Sequence, residues 1–144
     1  MRSASRFASF FLLALLSCNH IQDSTSLDQE DIEYLRSLHL LDSSESVLGY
    51  YNEYKKSVAG NFFTDKRIAT YWIDERDPDK NKAVFAYYPD IARIDTIYNA
   101  GLTYTPYMLV TKNDNTQFKV GVDGSDMEVK SFFEEAMKRW KRGL

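Results

Sequence analysis

Between residues 47 and 122 this chain of 144 residues shows no helical periodicity, whereas its C-terminal segment shows a long one. Val129, Phe132, Phe133, Ala136, Met137 and Trp140 fall at i, i+3, i+4, i+7, i+8 and i+11, one unbroken apolar face. Ser125 and Glu128 make a capping box in front of it, and Lys138, Arg139, Lys141 and Arg142 close it with charge that suits a helix C-terminus. Upstream, aromatic and β-branched residues occur in short runs bounded by turn residues, which is strand chemistry. The expected strands cover 47–54, 60–63, 67–73, 83–88, 91–98, 107–111 and 117–122. In the last of these Phe118, Val120 and Val122 alternate with Gln117, Lys119 and Gly121. The runs 83–88 and 91–98 read as a pair across Pro89-Asp90. Ahead of the strands, Ser26 and Gln29 supply a helix start, and Ile32, Leu35 and Leu38 an apolar stripe, so a short helix is expected within 28–42. The class is α+β and mainly β: a strongly bent seven-stranded antiparallel sheet or barrel, capped by a C-terminal helix, with an extra N-terminal helix. Phe62, Ile68 and Tyr71 or Trp72 are expected in its inward layer.

The N-terminus is a different kind of polymer. Arg2 and Arg6 precede the apolar run 7–16, which is too short to span a bilayer at about 20 residues, and the run ends at Ser17-Cys18. Cys18 is the one cysteine of the chain, so no internal disulfide framework exists. This arrangement resembles the signal peptide of bacterial lipoproteins, with Leu15 three residues before the cysteine and a small residue just before it. The resemblance implies cleavage after Ser17 and acylation of Cys18 with chains such as palmitate. One acyl chain anchors only marginally, while several on one residue hold stably. Segment 1–17 is then a signal peptide, and 18–27 a lipidated cysteine with a flexible tether. The expected location is the bacterial cell envelope, with Asn19 after the cysteine favouring the outer membrane by analogy with enterobacterial sorting. Without Arg2 and Arg6 the 18 basic residues fall to 16 against 21 acidic ones, so the mature charge is about −5 rather than −3. That balance argues against nucleic acid as a partner.

The strand order also resembles pleckstrin-homology-like domains of bacteria. The resemblance rests on Gly60 to Ile68 (GNFFTDKRI), on Tyr88 to Ile94 (YPDIARI), on Phe118, and on the Phe132-Phe133 pair. It covers residues 46–142 and implies a fold, with little said about function.

Nothing in the sequence marks an active site. A phosphate-binding glycine loop, a serine elbow and metal-ligand spacing are all missing, so no enzyme activity, cofactor or metal is expected. The acids of 74–79 read as a solvated turn, and His39 as a partly buried helix residue. Two sets of surface residues remain. In each adjacent tyrosine pair one side chain should face outward, so Tyr51 and Tyr88, with Tyr104 and Tyr107 of the 100–107 loop, are candidates for binding an envelope protein or peptide. Lys55, Lys56, Lys66 and Arg67 are candidates for contact with an anion or a lipid head group, as in eukaryotic relatives of the fold. A non-catalytic binding domain held on a membrane is the expectation, with peripheral head-group or small-ligand binding as the alternative and a hydrolytic enzyme third.

Overall fold

The computed structural model describes residues 20–23, 26–99, 101 and 104–143. The signal segment and Cys18 lie outside these residues. In chain order the elements are β1 (His20–Asp23), α1 (Gln29–Ser37), β2 (Val47–Asn52), β3 (Ala59–Thr64), β4 (Arg67–Trp72), β5 (Lys82–Tyr87), β6 (Ile91–Ile97), β7 (Tyr107–Lys112), β8 (Gln117–Gly121) and α2 (Asp126–Gly143). The strands form two antiparallel sheets, β1-β2-β3-β4-β5 and β6-β7-β8.

The mainly β architecture with a C-terminal helix is as expected, but one continuous seven-stranded sheet is not what forms. The chain breaks between β5 and β6, because Tyr88–Asp90 winds into a single 3-10 turn. A two-residue hairpin needs positive φ at its centre, which Pro89 cannot adopt. The chain therefore turns a corner instead of pairing 83–88 with 91–98. Asn113 holds that corner, its backbone N–H donating to the Asp90 carbonyl at 2.9 Å and its side-chain amide to the Pro89 carbonyl at 3.0 Å.

The N-terminal segment also differs from expectation. Within the expected tether 18–27, His20–Asp23 is a strand on the free edge of β2, in a register that sets His20 opposite Asn52 and Asp23 opposite Gly49. The cap of α1 is Asp28 rather than Ser26: Asp31 N–H donates to the Asp28 carboxylate at 2.9 Å and Asp28 N–H to the Asp31 carboxylate at 3.2 Å. The helix stops at Ser37, short of 42. His39 takes a left-handed φ of 58°, His39 N–H donates to Arg36 O and Leu40 N–H to Leu35 O, a Schellman ending. His39 is thus an exposed C-terminal stop and not a buried helix residue.

The short α1 explains how the sheet is covered. Apolar burial divides into two clusters on opposite faces of β2–β5. Inside, Tyr51, Phe63, Ile68 and Ala86 meet Met108, Val110 and Val120 of the second sheet and Val129, Phe132 and Phe133 of α2. Outside, Val47, Tyr50, Phe62, Ala69 and Tyr71 meet Leu35, Leu40 and Leu41. Phe62 and Tyr71 therefore lie under α1, not in the inward layer. Each fully buried side chain of this size contributes about 1.5–3 kcal/mol relative to leaving it in water.

The fit on the outer face is tight at Gly60. A Cβ there would stand 2.5 Å from a Tyr71 ring carbon and 2.7 Å from the Tyr50 hydroxyl. Neither ring can swing aside in a packed face, so Gly60→Ala is expected to cost about 1–3 kcal/mol in urea unfolding. An unchanged midpoint would show that the two rings move freely.

Candidate functional site

The four basic residues do not form one site. Arg67 is 1% exposed. Its Nε donates to Glu45 Oε1 at 2.8 Å and its Nη2 to Glu45 Oε2 at 2.7 Å, with Asp42 Oδ2 at 2.8 Å from the same Nη2. The guanidinium also stacks on the Phe85 and Tyr87 rings, 4.5 and 4.4 Å from their centroids. Desolvation pulls its pKa down, but the hydrogen bonds and charge of Glu45 outweigh that, and the net shift is upward. Thr64 completes the cluster. Its hydroxyl donates to Glu45 Oε1 at 2.6 Å and accepts the Lys66 and Arg67 N–H groups at 2.9 Å each. Arg67 thus locks the 42–46 loop onto the β3–β4 turn and is not available to a phosphate.

The lysines go to separate places. Lys56 pairs with Asp31 of α1 and is half-buried there. Lys66 Nζ donates to Ser44 Oγ at 2.9 Å. Lys55 is exposed and stands 5.3 Å from the centroid of the Tyr54 ring.

The tyrosine set divides as well. Tyr51 and Tyr88 are core residues, which corrects the expectation that they face a partner. Strand alternation does send the members of a pair to opposite faces, but α1 covers the second face, so Tyr50 and Tyr51 are both buried. Burial pushes both phenols up to about 12. Burial raises the Tyr71 and Tyr88 phenols also. Tyr50 and Tyr71 share a hydrogen bond of 2.6 Å, Tyr71 donates to the Lys56 carbonyl, and Tyr88 donates to the Thr64 carbonyl.

Tyr104 remains a surface residue, 73% exposed, and Tyr107 is half-buried with Lys119 Nζ 4.4 Å above its ring. Near Tyr107, which pairs with Ile97, the structure adds a residue that sequence reasoning left among the strand tyrosines. Tyr98 is exposed at the end of β6, and its ring centroid lies 5.6 Å from that of Phe133 on α2. Tyr98, Pro106, Gly124, Asp126, Val129 and Lys130 line a cleft of about 390 Å³ between the end of β6, the start of β7 and the start of α2. The cleft combines an aromatic wall, an apolar floor at Val129, and one acid and one base at the rim, a composition suited to a peptide or a small amphipathic ligand. The Ser125–Glu128 capping box fixes its helical wall, with Ser125 N–H donating to Glu128 Oε2 at 2.9 Å. A wider groove of about 660 Å³ lies between β4, β5 and β8, around Trp72 and Phe118. Among the described residues no three His, Cys, Asp or Glu side chains are grouped as a metal site needs.

Two antiparallel sheets pack face to face, with a C-terminal amphipathic helix over their shared core, the arrangement of a pleckstrin-homology-like fold. The chain is similar in fold to a DUF1696 family protein with a pleckstrin-homology domain from Shewanella loihica PV-4, with a TM-score of 0.50 and 11% identity over 79% of this chain and 96% of that one. No protein-family model and no curated protein matches the chain.

Proposed function

We propose that this protein is a lipid-anchored lipoprotein of the bacterial envelope, whose pleckstrin-homology-like domain binds a protein or peptide partner without catalysis. The anchor rests on the basic start, the apolar run and Cys18. The partner site rests on one observation: the cleft of about 390 Å³ walled by exposed Tyr98 and by Pro106, two residues after exposed Tyr104, in a molecule that buries Tyr50, Tyr51, Tyr71 and Tyr88. Large rigid rings at the rim of an apolar cleft give contact area at little entropic cost.

Two measurements test this. Intact-mass analysis of the native protein should find Cys18 as an acylated N-terminus, and an unmodified Cys18 or a terminus elsewhere would remove the anchor. A photo-reactive residue at position 104 should cross-link a single envelope protein in living cells. Tyr98→Ala should abolish that product, while Trp72→Ala, which opens the other groove, should leave it. Capture that survives Tyr98→Ala would overturn the assignment of the cleft.

A further inference from the structure

We propose that the 53–57 turn is the membrane-facing end of the domain, with Tyr54 and Lys55 seated at the bilayer surface. This rests on the reading of Cys18 as the lipid anchor.

β1 runs antiparallel to β2, with His20 opposite Asn52, the last residue of β2. Following the chain back from His20 therefore leads out of the sheet at the end where the 53–57 turn lies. Only Asn19 separates Cys18 from His20, and those two chain steps span at most about 7 Å. A long tether would let the domain tumble freely, but β1 takes up the residues that would have formed one. The acyl chains enter the bilayer only if this end of the sheet comes close to it.

Tyr54 is 63% exposed, and Lys55 stands over its ring. The turn is held firmly. Asn52 Nδ2 donates to the Tyr54 carbonyl at 2.9 Å, the Tyr34 phenol to the Ser57 carbonyl at 2.6 Å, and the Tyr71 phenol to the Lys56 carbonyl. Trp72, opposite Ala59 just past the turn, is 53% exposed at the same end. Tyrosine and tryptophan favour head-group depth, where one side of the ring is wet and the other apolar, and lysine is drawn to anionic lipid. Glu53 in the same turn opposes that charge, so the surface orients the domain while the acyl chains hold it.

The basic end of α2, with Lys138, Lys141 and Arg142, is the stronger positive patch. It lies at the far end of the sheet: Gly143 is against Tyr88, which follows the Tyr87–Arg67 pair, whereas Trp72 pairs with Lys82 at the other end of the same strands. Six strand residues separate those ends by about 20 Å. A link of one residue between Cys18 and β1 cannot bring both ends to the bilayer.

The only natural cysteine is occupied when acylated, so an introduced one is a unique thiol. Tyr54→Cys, Lys55→Cys, Asp90→Cys and Lys141→Cys would each carry a nitroxide on the lipidated protein, in vesicles of phosphatidylethanolamine and phosphatidylglycerol. Labels at 54 and 55 should be shielded several-fold from a water-soluble nickel chelate, and more open to oxygen, than the label at 90. Equal exposure at 54, 55 and 90, or shielding at 141 instead, overturns the orientation. Flotation and intact mass on the same samples separate the two failures. Protein that neither floats nor carries acyl chains refutes the anchor and this proposal together, while floating protein with exposed 54 and 55 labels refutes the orientation alone.

Discussion

Glu45→Ala is expected to lower the stability of the domain by about 3–5 kcal/mol, the cost of leaving a buried charge without its partner. Glu45 has a fully buried side chain and meets Arg67 through two hydrogen bonds. Asp42 still touches the guanidinium, but its side chain is 56% exposed, so water screens its charge and it compensates little. Three chain segments come loose at once, because Glu45 also accepts from Thr64 and from the Asp42 N–H. Thermal unfolding should fall by roughly 10 °C or more. The companion measurement is the double change Glu45→Leu with Arg67→Met. Removing both charges costs less than removing one, and Met keeps the contact with Phe85 and Tyr87. A double variant as unstable as Glu45→Ala would show that the hydrogen bonds, and not the orphaned charge, dominate the site.

Above pH 10 the domain should lose stability steeply. Burial pushes Tyr50 and Tyr51 up to about 12, and raises Tyr71 and Tyr88 in the same sense. An unfolded phenol releases its proton near 10, while the folded one keeps it. The stabilisation from holding these phenols neutral is therefore complete below pH 10 and is lost as the pH rises from 10 through the folded values. The slope is on the order of 1.4 kcal/mol per pH unit for each such phenol, so several together exceed an ordinary stability reserve within one or two units. Urea midpoints measured from pH 8 to 12 alongside phenolate absorbance check this. The absorbance of the buried phenols should rise together with unfolding. Ionisation of all ten tyrosines in a chain that keeps its fold would mean that the phenols reach water without unfolding.

What could be read from the residues depended on how local its cause was. The α2 stripe, its Ser125–Glu128 cap and the alternation in β8 are set by neighbours in sequence, and they stand as expected. The corner at Pro89 was legible as a turn but not as a change of sheet, because that depends on Asn113 reaching it from the β7–β8 turn. Tyr51 was misplaced for a similar reason: alternation sends Tyr50 and Tyr51 to opposite faces, and only the docking of Leu35, Leu40 and Leu41 tells that both faces are covered. Tyr88 was misplaced because it lies in the 3-10 corner, not in a strand, and turns into the inner core. Arg67 looked like a surface cation since its partner Glu45 stands 22 residues away in a loop with no pattern of its own. The cleft beside Tyr98 is likewise made by residues distant in the chain. Tyr104 was legible, lying in a loop before Pro106.

The cover of the sheet's outer face has a consequence for the order in which the chain takes shape. Leu35, Leu40 and Leu41 precede β2 in sequence, so they leave the ribosome, and any export channel, before the face that they shield exists. Val47, Tyr50, Phe62 and Tyr71 emerge with their cover already waiting. At no stage of vectorial synthesis does β2–β5 have to stand assembled with an oily outer surface open to water. A cover placed after β8 would have left that surface bare until the last residues arrived.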